Sequence, residues 1–134
     1  MVCIQCGQKT QIINSRPQLR TNSTWRRRKC LHCASIFSTQ ESTDYGAIWA
    51  VRDTGGHISP FSRDKLFLSL YKSCQHRSTA LTDAGALTDT VIKKLLKTAA
   101  DGQLTAKQIQ QAAQVALNRF DSAASVQYAA YHKI

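Results

Sequence analysis

Two Cys-x-x-Cys pairs, Cys3-Ile4-Gln5-Cys6 and Cys30-Leu31-His32-Cys33, constrain this chain more than any other feature. Four thiolates in two such pairs close a tetrahedral zinc site. A segment of roughly 40 residues buries too little apolar surface to fold without a staple of this kind. Gly7 follows the first pair and permits the tight turn that brings backbone amides towards sulfur. A thioredoxin-like redox pair opens a helix after a strand, where the helix N-terminus lowers a thiol pKa, and neither pair here is so placed. His32 lies inside the second knuckle, but four cysteines complete the site without it, which leaves it to solvent or to a phosphate contact. Cys74 stands apart, on the apolar stripe of a predicted helix, and reads as core.

Charge points to the kind of partner. The 134 residues carry 18 Lys and Arg against 8 Asp and Glu, a net charge of +10. Residues 1–45 hold seven of the cations against Glu41 and Asp44, so the first third has about twice the charge density of the remainder. An anionic partner for this first segment, most simply nucleic acid, is the economical reading. No apolar run suits a signal peptide, and none approaches the roughly 18 apolar residues of a membrane span. A soluble, intracellular protein is expected, and in a reducing compartment the paired cysteines read as metal ligands before disulfides.

The element pattern divides the chain at a linker near residues 42–46. Residues 9–16 read as a strand ended at Arg16-Pro17, because proline cannot donate to a ladder. Residues 18–24 are turn-like. Trp25-Arg26-Arg27-Arg28-Lys29 reads as a second strand whose alternate side chains put cations on both faces, and residues 36–39 as a third. Beyond the linker, residues 48–52 and 57–59 read as a hairpin around Asp53-Thr54-Gly55-Gly56. Ser62 suits the N-cap of a helix with Leu66, Phe67, Leu70, Tyr71 and Cys74 at three- and four-residue spacing. Further helices are expected over about 88–100, from Thr105, and from Asp121 or Ser122.

The run Asn14-Ser15-Arg16-Pro17, the strand from Trp25 into Cys30-Leu31-His32-Cys33, and Phe37-Ser38-Thr39-Gln40-Glu41 together resemble the NrdR family, bacterial repressors of ribonucleotide reductase genes. The likeness continues through Val51-Arg52-Asp53, Pro60-Phe61-Ser62-Arg63-Asp64-Lys65-Leu66 and Ser125-Val126-Gln127-Tyr128-Ala129. It implies an α+β protein: a small β zinc ribbon over residues 1–45, then a mostly helical ATP-cone-like domain over 46–134, opened by the β-hairpin. It further implies one structural Zn2+ on Cys3, Cys6, Cys30 and Cys33, and a ribbon that binds double-stranded DNA upstream of ribonucleotide reductase genes. The DNA-binding candidates are Arg16, Arg26, Arg27, Arg28 and Lys29, since arginines on a rigid strand contact phosphates and present a planar fork to guanine edges. The cone is expected to bind ATP or dATP as effector and to set a homo-oligomeric state in the bacterial cytoplasm. Arg52, Lys65 and Arg77 are its phosphate-binding candidates. The sequence departs from the family pattern at Ala34, where glycine is usual, in a longer hairpin, at Ser59 before Pro-Phe, and at Gln127, where arginine is usual.

An enzyme is not expected. The sequence has no Gly-x-x-x-x-Gly-Lys loop, no Ser/His/Asp or Cys/His set and no carboxylate pair beside the metal, and a closed four-sulfur site has no open position for water. The alternative is a constitutive zinc-ribbon module, binding DNA or RNA, with a degenerate cone used for protein interaction.

Overall fold

The structure, a computed structural model, describes residues 1–132; the last two residues of the second predicted domain lie outside the described residues. The chain forms two units, Met1–Thr43 and Asp44–Ile134. In the first, β1 (Thr10–Gln18), β2 (Ser23–Cys30) and β3 (Ile36–Glu41) make an antiparallel sheet in the order β1-β2-β3. β1 does not stop at Arg16 as expected but continues through Pro17, which pairs with Thr24. It can do so because β1 is an edge strand, where a missing N–H leaves no central ladder bond unmade. A bulge between Ile12 and Asn14 shifts its register. Only Cys3, Ser23 and Cys30 are buried in this unit, so the sheet has no apolar core of its own.

The second unit begins with a single turn, α1 (Tyr45–Ile48), followed by β4 (Ala50–Arg52) and β5 (Ile58–Pro60). Residues 48 and 49, expected as strand, instead close that turn: the Trp49 amide donates to the Tyr45 carbonyl, and the indole packs edge-on against Phe61. α2 (Arg63–Ser73) is capped by Ser62, whose hydroxyl accepts from the Lys65 amide. α3 (Ala80–Leu95) starts eight residues before the expected position and stops five before its expected end. Its first two turns bury Ala80, Ala84 and Leu87, and alanines at a close helix contact give little hydrophobic signal.

A short strand, β6 (Gln103–Thr105), was not expected; it pairs parallel with β4, which is the central strand of the order β5-β4-β6. Thr105 then caps α4 (Ala106–Phe120) in a full capping box with Gln108. Asp121 accepts from the Ala123 and Ala124 amides at the start of α5 (Ser122–His132). Trp49, Phe61, Leu66, Leu70, Leu95, Leu104, Leu117 and Tyr128 belong to one core. Cys74 is buried within it, and desolvation, then Asp83 and Asp121, push its thiol pKa up.

Gly102 sets the β6 turn. Its φ is +73°, a Cβ there would meet the Ile48 carbonyl oxygen at 2.5 Å, and its own carbonyl accepts from Ala50. Gly102→Ala is expected to destabilise this unit by about 2 kcal/mol, lowering its melting temperature by roughly 10 °C. Gly85, inside α3 with open space beside it, is the control: Gly85→Ala is expected to raise the melting temperature by a few degrees.

Candidate metal centre and nucleic-acid interface

Both knuckles use the same local geometry. The Gln5 amide donates to Cys3 Sγ at 3.3 Å, and the His32 and Cys33 amides donate to Cys30 Sγ at 3.3 and 3.4 Å. The first cysteine of each pair is buried and the second is exposed. The four Sγ atoms lie within 4.8 Å of one another, with Cys3–Cys33 at 3.6 Å and Cys6–Cys30 at 3.5 Å. A tetrahedron of sulfurs about 2.3 Å from zinc has edges of about 3.8 Å, so the set fits one zinc ion. His32 is exposed and is not one of the clustered residues.

The electrostatics of the cluster favour a cation. The Ser35 hydroxyl and amide hold the Cys33 pKa down at about 6, and the amides of Cys33 and His32 lower that of Cys30. Cys6 moves the other way, to about 12: its hydrogen bond with the Gln8 backbone is outweighed by desolvation and by crowding from Cys30, Cys33 and Cys3. Sulfurs at these separations cannot all ionise without a counter-charge, which a divalent ion supplies.

The turn after each knuckle requires a left-handed residue. Gly7 has φ +75° and Ala34, at the matching place after Cys33, has φ +62°. An L-residue with a Cβ is strained there by about 1 kcal/mol. Ala34→Gly is therefore expected to stabilise the zinc-loaded ribbon by about that amount, read as a rise in its unfolding midpoint.

Strand alternation sorts the cations of the ribbon onto two faces. Arg26 and Arg28 share one face with Ser15, Phe37, Thr39 and Glu41. There they are engaged: Arg26 donates to Ser15 Oγ at 3.1 Å and approaches Glu41 at 3.5 Å, and Arg28 donates to Thr39 Oγ1 at 3.3 Å. The other face carries Arg16, Trp25, Arg27 and Lys29, with Asn14, Ser38 and Gln40 beside them and no carboxylate on the strands. Arg16, Arg27 and Lys29 are exposed and have no ion-pair partner among the described residues.

In the second unit the three phosphate-binding candidates are not brought together. Lys65 lines a cleft of about 260 Å³ walled by Val51, Phe61, Ile109 and Tyr128 and edged by Ser59, Ser62 and Gln110. Arg52, exposed at the end of β4, does not line it. Arg77 lies in a carboxylate network instead: it donates to Asp83 at 2.9 Å and Asp121 at 3.0 Å, and stacks 4.6 Å above the Phe120 ring. The hydrogen bond from His76, with those from the Ala124 amide and Arg77, holds the Asp121 carboxyl well below the usual range. Thr79 and then Arg77 lower that of Asp83. Ser59, Ile109, Tyr128 and His132 were not picked out as lining residues by sequence reasoning. Only the helical i, i+4 spacing of Tyr128 and His132 hints that those two share a face.

Residues 1–41 match the family model described as transcriptional repressor NrdR-like, N-terminal domain. Proteins named transcriptional repressor NrdR align along almost all of the chain. That of Chromobacterium violaceum is 31% identical over 134 residues, covering 99% of this chain and 87% of the relative. That of Symbiobacterium thermophilum is 29% identical, with 99% and 87% covered, and that of Pelotomaculum thermopropionicum 29%, with 99% and 80%.

Proposed function

This chain belongs to the NrdR family of transcriptional repressors, and on that premise we propose that its ribbon binds duplex DNA upstream of ribonucleotide reductase genes while its second unit senses ATP or dATP. It acts as a zinc-dependent repressor, in the cytoplasm and without chemistry of its own. The observation that carries the reading is the four-sulfur cluster at the end of β2, which fixes a sheet whose Arg16, Arg27 and Lys29 face has no carboxylate on the strands to neutralise it. Such a face matches a phosphate backbone, and the arginine forks can reach base edges.

The effector role rests on the cleft beside Lys65. Its walls are apolar and aromatic, its rim carries hydroxyls and an amide, and among the described residues no carboxylate lines it. That lining suits a planar base together with an anionic tail. ATP and dATP differ by one hydroxyl, so any control they exert is bounded by their difference in affinity for the assemblies they favour. The homo-oligomer is the element they would bias.

The test is fluorescence anisotropy of the zinc-loaded protein on a duplex from upstream of a ribonucleotide reductase gene, against a scrambled duplex and an RNA competitor, with ATP or dATP present. Light scattering of each complex accompanies it. Sequence-selective duplex binding that changes with the nucleotide, alongside a change in oligomer, is expected. Equal binding to RNA, or indifference to both nucleotides, would instead fit a constitutive nucleic-acid module.

A further inference from the structure

The bulge in β1 changes which side chains join the cation face. Ile12 pairs with Arg28, so plain alternation would send residue 14 to the Arg28 side as well. One residue in excess at position 13 moves Asn14 across instead, directly opposite Arg27. Ser15, the next residue, faces Arg26 and accepts its hydrogen bond at 3.1 Å, which fixes the register beyond the bulge. Asn14 therefore lies between Arg27 across the ladder and Arg16 two positions along its own strand.

Four side-chain amides share that face: Gln11 opposite Lys29, Asn14, Gln18 opposite Ser23, and Gln40 opposite Trp25. Two of them are tied down, because Gln40 Nε2 donates to Gln18 Oε1 at 3.0 Å and to Ser23 Oγ at 2.9 Å. The hydrogen bonds among the side chains of the sheet leave Gln11 and Asn14 without a partner among the described residues. Both are exposed. Asn14 is the better placed of the two, since arginines flank it and its shorter side chain loses less rotamer freedom when held.

A carboxamide offers a donor and an acceptor side by side. The major-groove edge of adenine, with its N6 amino group and N7, presents the matching acceptor and donor, whereas the two acceptors of guanine suit an arginine fork. β1 is the edge of its sheet, so β1 and β2 can enter a groove as a two-stranded ribbon, which the major groove of about 12 Å admits. The narrow major groove of duplex RNA does not.

We propose that Asn14 is a base-reading residue of the ribbon, pairing through its carboxamide with an adenine while Arg16 and Arg27 hold the backbone or bases on either side. The proposal rests on the duplex-DNA reading of the cation face.

The experiment uses the full zinc-loaded chain. The natural sequence first selects its preferred site from a pool of randomised duplexes. Duplexes carrying each base at each position of that site are then measured by competition anisotropy for the natural sequence, Asn14→Ala, Asn14→Asp and Gln11→Ala, with zinc content and a thermal melt confirming the fold. The natural chain is expected to favour adenine about tenfold at one position, and at its counterpart in any symmetric repeat. Asn14→Ala should erase that preference, keep those at other positions, and change the salt slope by less than about 0.5. Asn14→Asp, of the same shape but without a donor, should favour cytosine there instead. Base preferences in Asn14→Ala that match the natural chain at every position overturn the proposal while leaving DNA binding intact. So does uniform weakening on all duplexes with a slope lower by about 1, which marks a phosphate contact. Loss of the adenine preference in Gln11→Ala alone moves the role to Gln11 and overturns it too. A natural chain that selects no site from the pool removes the sequence-specific DNA reading, and the proposal with it.

Discussion

Stripping zinc with a strong chelator is expected to unfold residues 1–43, abolish DNA binding and leave the helical signal of the second unit in place. The ribbon buries only Cys3, Ser23 and Cys30, two of them metal ligands, whereas the second unit has a core running from Trp49 to Tyr128. In small zinc modules the metal contributes about 10–16 kcal/mol of apparent binding free energy, which is also folding free energy. Nothing else in this ribbon approaches that; the Arg26–Glu41 pair, with Glu41 largely exposed, is worth little in water. Cys30→Ser should behave like chelation, since Cys30 is buried and accepts two amide hydrogen bonds at sulfur. The checks are zinc stoichiometry, two-dimensional NMR of the amides and DNA binding before and after zinc is restored. Ribbon resonances that stay dispersed without metal would mean that the sheet holds itself together.

Features written in neighbouring residues were legible in the sequence. The knuckles, the arginine strand and the caps at Ser62, Thr105 and Asp121 each depend on side chains within a few positions of one another. Features that depend on distant residues were not. β6 is three residues long and exists because β4, some fifty positions earlier, offers it a parallel edge. The start of α3 is hidden because Ala80 and Ala84 fill a contact that larger side chains would have advertised. Pro17 looked like a terminator only because the order of the strands, and hence β1's place at the edge, is not visible in one segment.

The candidate site divides the same way. The four ligands follow from spacing, and alternation along residues 25–29 gives two charged faces. Which of those faces is engaged depends on Ser15, Thr39 and Glu41, supplied by the neighbouring strands. Arg77 looked like a free cation because Asp83 reaches it from the first turn of α3 and Asp121 from the junction of α4 and α5. The cleft beside Lys65 draws on β4, α2, α4 and α5, an arrangement that no local pattern encodes.

The sorting of cations by face leads to the sharpest mutational contrast. Replacing Arg16, Arg27 and Lys29 together by alanine is expected to weaken duplex binding on the order of 100-fold, at about 1 kcal/mol or more for each lost contact. If each makes one phosphate contact, the slope of log K against log salt should flatten by about 3 units. Replacing Arg26 and Arg28 should act differently, because these arginines donate to Ser15 on β1 and Thr39 on β3, across both edges of the sheet. That pair is expected to lower the ribbon's thermal stability while changing the salt slope by less than about 1 unit. Zinc content measured alongside separates lost contacts from a lost fold. A double Arg26, Arg28 variant with full zinc content and the larger drop in salt slope would move the DNA to the opposite face. The engaged arginines would then have to leave Ser15, Thr39 and Glu41 on binding, a rearrangement that the free cations of the other face do not require.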